Sequence, residues 1–81
     1  MVRRSKIELL RDVLKVLKQD GGAKKTEVVY KANLNFERAS KILSWLVEKD
    51  LVEIKSNRYE ITEKGEEVLK SIDKLASDLG F

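Results

Sequence analysis

The segment Thr26 to Lys49, TEVVYKANLNFERASKILSWLVEK, constrains the fold more than any other part of the chain. Apolar residues follow a helical period on both sides of a three-residue interruption, Asn33-Leu34-Asn35. Asparagine tolerates the left-handed backbone that ends many helices, and a hydrophobic residue just after it packs back onto the last turn. It is also a favourable N-cap, because its side-chain oxygen accepts from the first unpaired amides of a new helix. Asn33 therefore closes a helix that uses Val28, Val29 and Ala32 as apolar contacts, and Asn35 opens the next. So short a turn between two helices predicts a helix-turn-helix. The second helix places Phe36, Ala39, Ile42, Leu43, Leu46 and Val47 on its inward side, at helical spacing. Its opposite side carries Glu37, Ser40, Lys41, Ser44 and Glu48, with Arg38 and Trp45 together on one flank.

The flanking segments supply a frame. Ser5-Lys6-Ile7-Glu8 fits a capping box, with Ser5 as N-cap and Glu8 at the third helical position. It predicts a helix to about Lys18, stopped by Gly21-Gly22. Ile7, Leu9, Leu10, Val13, Leu14, Val16 and Leu17 cover nearly half of that helix, more than the ~100° arc a surface helix needs. Leu9 and Val16 lie at the far edge, and something beyond the domain's own core is expected to cover them. Ala23 to Lys25 forms a short connector, with room for a one- or two-residue strand beside a later hairpin.

From Leu51 to Thr62 the period changes to two, as in a half-buried strand: Val52, Ile54, Tyr59 and Ile61 alternate with charged residues. Ser56-Asn57 reads as the turn, and Asn57 suits a positive φ. A two-residue loop pairs Val52 with Ile61 and Ile54 with Tyr59 on the buried face. It also sets Glu53 opposite Glu60, an unfavourable pair that Lys55 and Arg58 at the tip offset in part. A longer loop with another register is the alternative. Thr62 then caps a last helix that runs to about Leu79 and ends at Gly80. Ile61, Gly65, Val68, Ile72, Leu75 and Leu79 are spaced 4, 3, 4, 3 and 4, a heptad seam widened by Leu69 and Ala76. Such a seam either lies on its own domain or forms a short coiled coil with a second copy. In the homodimer Val68, Ile72, Leu75 and Leu79 form the interface, bordered by Leu9 and Val16.

At 81 residues the chain is expected to be one domain, 1–81, with 62–79 as its dimerisation helix. Charged residues of both signs make up 38%, as usual for a soluble helical domain, and a net charge of +3 fits either a solvated surface or a basic face for a polyanion. Cysteine and histidine are absent, which removes the usual zinc ligand sets, the imidazole acid–base group and the thiolate nucleophile. No serine has a partner pattern for activation, and Gly21-Gly22 is not the GxxxxGK[ST] phosphate loop. The sequence thus predicts no enzyme, no cofactor and no metal, and no small-molecule ligand is evident in it. No apolar run approaches the ~20 residues of a membrane span. Met1-Val2-Arg3-Arg4 leads straight into a charged helix and not into a signal sequence, so a cytoplasmic, nucleoid-associated location is expected.

The order helix, helix-turn-helix, hairpin, helix is a winged helix, mostly α with a small β-hairpin. Its cations fall at three backbone-facing places: Arg3, Arg4 and Lys6 on an N-terminal arm, Lys24 and Lys25 at the start of helix 2, and Lys55 and Arg58 beside Asn57 on the wing. Lysine and arginine so placed neutralise phosphates, and unpaired amides at the start of helix 2 favour anions. The second helix of a helix-turn-helix lies in the major groove, which points Asn35, Arg38, Ser40, Lys41 and Ser44 at the bases. Glu37 and Glu48 dilute that face. Double-stranded DNA is the expected partner, bound mainly through its backbone with modest sequence preference. A protein-interaction module on the same scaffold is the alternative, since fold does not fix function.

Three stretches carry a resemblance: SKIELLRDVLKVLK, KTEVVYKANLNFERASKILSWL and YEITEKGEEVL. Together they resemble the archaeal 10a-type winged-helix chromatin proteins and related small archaeal regulators, over roughly residues 3 to 75. The most specific pieces are Lys25-Thr26 with Tyr30-Lys31-Ala32-Asn33-Leu34-Asn35, and Thr62-Glu63-Lys64-Gly65. The resemblance implies a winged helix that dimerises through its C-terminal helix in an antiparallel coiled coil and binds DNA, often with low sequence specificity. Family members can have a longer last helix, a departure that bears on the dimer's geometry.

Overall fold

Each long helix begins where the sequence supplies a cap. The computed structural model describes residues 5–80, in the order α1 (Lys6–Asp20), α2 (Lys25–Lys31), α3 (Phe36–Glu48), β1 (Val52–Lys55), β2 (Arg58–Ile61) and α4 (Glu63–Asp78). The Glu8 N–H donates to Ser5 Oγ at 3.2 Å and the Ser5 N–H to Glu8 Oε1 at 3.3 Å, the reciprocal box expected. Asn35 Oδ1 accepts from the Arg38 N–H at 2.7 Å, and Thr62 Oγ1 from the Gly65 N–H at 3.0 Å. Asn33 takes φ 55°, and the Leu34 N–H donates back to the Val29 carbonyl at 3.0 Å. Leu34 packs on the core, so the predicted turn closes α2 and opens α3.

The core lies where α1 meets every other layer. Val13, Leu14 and Leu17 pack with Val28 and Ala32 of α2, Leu43 and Leu46 of α3, Leu51 and Val52, and Leu69 of α4. This arrangement corrects the expectation for Leu9 and Val16. The chain's own fold covers both, leaving them 6% and 9% exposed. Because α1 packs against α2, α4 and β2, its wide apolar arc has partners on several sides. Of its apolar residues, Ile7 remains outside, at 53%.

The hairpin takes the two-residue loop, pairing Val52 with Ile61, Glu53 with Glu60, Ile54 with Tyr59 and Lys55 with Arg58. Ser56 and Asn57 both have positive φ, 49° and 64°, as a turn that matches the strand twist requires. Ala23 and Tyr59 exchange backbone hydrogen bonds of 2.9 and 2.8 Å, so the connector supplies its one-residue strand. Ile54 departs from the buried face assigned to it and is 55% exposed. Its strand has by then left the body, while its partner Tyr59 stays packed on the core beside Ala23.

The seam of α4 is divided. Gly65, Leu69 and Ala76 are buried on the domain itself, Val68 and Ile72 are half-buried, and Leu75 and Leu79 are 52% and 62% exposed. Arg11 Nε at 2.8 Å and Lys15 Nζ at 3.8 Å from Asp73 Oδ1 hold α4 against α1. α1 ends beside β2 and α4 departs from it, so the two helices run antiparallel. Ile7, Leu75 and Leu79 consequently lie at the end remote from the hairpin.

Candidate nucleic-acid interface

The surface builds outward from the wing root. Arg58 Nη2 donates to the Gly22 carbonyl at 2.7 Å, and with the Ala23–Tyr59 bridge it fastens the hairpin to the α1–α2 connector. Arg58 is half-buried, so the cation expected to face phosphate also braces the wing root. Lys55 remains exposed near the tip, beside the exposed Asn57. Its ammonium lies 3.1 Å from Glu53 Oε1, and that hydrogen bond, with the nearby Glu53 and Glu60 charges, raises its pKa above the ordinary lysine value.

Lys24 and Lys25 follow the connector directly. The Lys24 N–H donates to Glu27 Oε1 at 2.9 Å, so a carboxylate already occupies one α2 amide expected to await an anion. The Lys24 side chain is exposed, and Lys25 Nζ sits 5.2 Å from the centre of the Phe36 ring. Contacts thus run unbroken from wing root to connector, to the start of α2, to the first residue of α3. At the other end of α2, Lys31 Nζ lies 2.5 Å from Asp20 Oδ2. That hydrogen bond raises the Lys31 pKa and ties the cation to α1.

Phe36 is 57% exposed, not inward as its helical spacing predicted. It is the first residue of α3, with no preceding turn to pack beside, and it borders the outer face on the α2 side. Glu37, Arg38, Lys41 and Ser44 are exposed along that face, and Ser40 is half-buried. Lys41 Nζ lies 3.4 Å from Glu37 Oε1. Asn35 commits its oxygen to the cap, which leaves its amide group to face outward. On the opposite border, Arg38, Lys41, Ile42 and Trp45 join Lys6, Leu9 and Leu10 of α1 around an open cleft of about 660 Å³. Trp45 is 43% exposed, with Lys49 Nζ 5.9 Å from its ring centre. The expected contacts Arg3 and Arg4 lie outside the described residues. Among the described residues, no cluster of three metal-binding side chains occurs, and no helix is long and apolar enough to cross a membrane.

A winged helix-turn-helix family model matches residues 3–79. The chain belongs to that family. This winged helix-turn-helix protein is similar to Sso10a-2, a DNA-binding protein from Sulfolobus solfataricus, with 31% identity and a TM-score of 0.83. The match covers 95% of this chain and 83% of that one, and it agrees with the resemblance carried by the sequence. The uncharacterized protein MJ0287 of Methanocaldococcus jannaschii is 29% identical over 73 residues, 90% of this chain and 74% of the relative. A second protein of that organism, MJ0290, is 30% identical over 74 residues, which span 35% of its length. The transcriptional regulator Tm0710 from Thermotoga maritima shares the fold at 20% identity and a TM-score of 0.72, covering 90% of this chain and 61% of that one. Within this winged helix-turn-helix frame, sequence reasoning missed the outward Phe36 and the 85% exposed Tyr30. Phe36 could have been found from its place directly after the Asn35 cap; Tyr30 gives no such signal.

Proposed function

We propose that the protein binds duplex DNA, as a chromatin-associated protein or a transcriptional regulator in the nucleoid. The observation that carries this reading is the run of contacts from Arg58 at the wing root, paired across the hairpin with Lys55, through Gly22 to Lys24 and Lys25 and on to Phe36 at the start of α3. Cations there meet the two strand backbones that flank a recognition helix. Arg38, Ser40, Lys41, Ser44 and the Asn35 amide face the bases, and Arg3 and Arg4 supply further positive charge for phosphates. The DNA-binding description of Sso10a-2 supports the same partner. Glu37 offsets Lys41, so backbone contacts carry most of the affinity and sequence preference is modest.

Residues 1–81 act as one DNA-binding unit, with 62–79 as the dimerisation helix. The exposed Leu75 and Leu79, continued by half-buried Val68 and Ile72, form a stripe suited to an identical stripe in a short coiled coil. Ile7, at the same end, borders it in place of Leu9 and Val16.

Titration of two unrelated duplexes over a range of salt tests the reading. If each protomer neutralises about three phosphates, log K falls with log salt at a slope near −5. The two duplexes are expected to differ by less than ~1.5 kcal/mol, below the ~4–10 kcal/mol of site-specific regulators. A flat salt dependence, or no binding in low salt, would favour the protein-interaction module.

A further inference from the structure

Phe36 combines three features that its neighbours on α3 lack. It is the first residue of the helix, and the N-terminal residues of a recognition helix are the ones that reach base edges. The residue is 57% exposed. Lys25, from the cationic start of α2, stands 5.2 Å from the ring centre, so a phosphate-seeking group and an apolar plate occupy adjacent positions. The hydrogen-bonding side chains nearby are partly committed: the Asn35 oxygen to its cap, Lys41 to Glu37, and Ser40 is half-buried. Trp45, the other exposed aromatic of α3, sits about 13 Å further along the helix and away from its entering end.

Among the base edges of the major groove, thymine alone presents an apolar group, its C5-methyl, and phenylalanine is a suitable partner for it. That methyl lies on the side of the base nearest its own sugar–phosphate strand. A cation on a phosphate and a ring on the neighbouring methyl are therefore adjacent along one strand, as Lys25 and Phe36 are adjacent here. We infer that Phe36 contacts the C5-methyl of thymine beside the phosphate held by Lys25. The inference rests on the DNA-binding reading and adds a source of base preference to it. Without that contact α3 offers little direct readout. With it, the protein favours A·T-rich duplex through a group that carries no charge, so the preference persists as salt rises.

Replacing every thymine of an A·T-rich duplex by uracil removes the methyls and leaves charge and pairing unchanged. By fluorescence anisotropy, the wild-type protein should bind the thymine duplex about three- to tenfold more tightly than its uracil counterpart, in line with burying one or two methyl groups. Phe36→Ala should bind both alike, near the wild-type affinity for uracil. Phe36→Leu, which keeps an apolar group, should retain part of the preference. In a G·C-rich duplex, 5-methylcytosine in place of cytosine should strengthen binding by the wild type and not by Phe36→Ala. Circular dichroism is expected to show both variants folded. Salt-dependent binding with equal wild-type affinity for thymine and uracil duplexes would overturn this inference and leave the DNA-binding reading standing. So would a thymine preference that survives in Phe36→Ala. Absence of binding to every duplex would overturn both.

Discussion

The carbonyl oxygen of Leu51 occupies the space that a Cβ on Gly65 would need. The same oxygen accepts the Thr62 N–H at 3.0 Å, and Thr62 Oγ1 donates to the Asp50 carbonyl at 2.6 Å. The start of α4 is thus seated on the backbone that joins α3 to β1. A glycine in a helix normally costs up to ~1 kcal/mol relative to alanine, and here close backbone approach outweighs that cost.

Gly65→Ala should therefore destabilise the protein, against its higher helix propensity. Overpacking of this kind costs about 1–3 kcal/mol, and in a domain of this size each kcal/mol lowers Tm by roughly 4–8 °C. Thermal denaturation followed by circular dichroism measures it. A raised Tm would mean that α4 shifts away from Leu51 without loss.

The two wing cations should separate in their effects. Arg58→Ala removes the donor to the Gly22 carbonyl and is expected to cost about 1–3 kcal/mol of stability. Lys55→Ala should change stability by no more than ~0.5 kcal/mol, as exposed substitutions do, and should weaken DNA binding at low salt. Equal Tm values for the two variants would contradict the brace assigned to Arg58.

Self-association should respond to the free stripe of α4 and not to its buried one. Leu75→Asp with Leu79→Asp places charges on side chains exposed in the monomer, so it should leave a folded monomer by light scattering. Ala76→Asp, at a buried site, should unfold the chain by several kcal/mol. A wild-type protein that stays monomeric at high micromolar concentration would remove the coiled-coil proposal.

The Lys31–Asp20 pair has a pH signature in the alkaline range. Its hydrogen bond raises the Lys31 pKa above 10.5, so the folded chain holds that proton more tightly than the unfolded chain does. The stabilisation is fully present below the ordinary lysine value and is lost as pH rises through the raised one. The pair is open to solvent, so its contribution is small. The Tm difference between wild type and Asp20→Asn should be constant at neutral pH and shrink above about pH 10.5. A difference unchanged across that range would mean that the pair contributes nothing through charge.

What the sequence made legible is what neighbouring residues decide among themselves. The Ser5–Glu8 box, the Asn33-Leu34-Asn35 turn and the hairpin register all depend on residues a few places apart, and each is found as expected. Misplaced residues depend on partners distant in the chain. Leu9 and Val16 looked superfluous because a helical wheel does not show how many neighbours surround α1. Arg58 looked like a free cation because its acceptor, Gly22, lies 36 residues away. Phe36 satisfied the apolar period of α3 but sits where the helix begins, at the border of its packed face. Glu27 is the local exception: it accepts from the Lys24 N–H three residues away, and a lysine at the N-cap position hides that pairing in the sequence.

Trp45 is the chain's single tryptophan, and it sits half-open on α3 with a lysine ammonium near its ring. Indole emission is sensitive to solvent and to nearby charge, so α3 carries its own fluorophore. Every photon emitted under selective excitation of indole comes from that helix. Occupancy of its surface by DNA, by a second copy or by a protein can be followed on unlabelled material, at the concentrations where each event occurs.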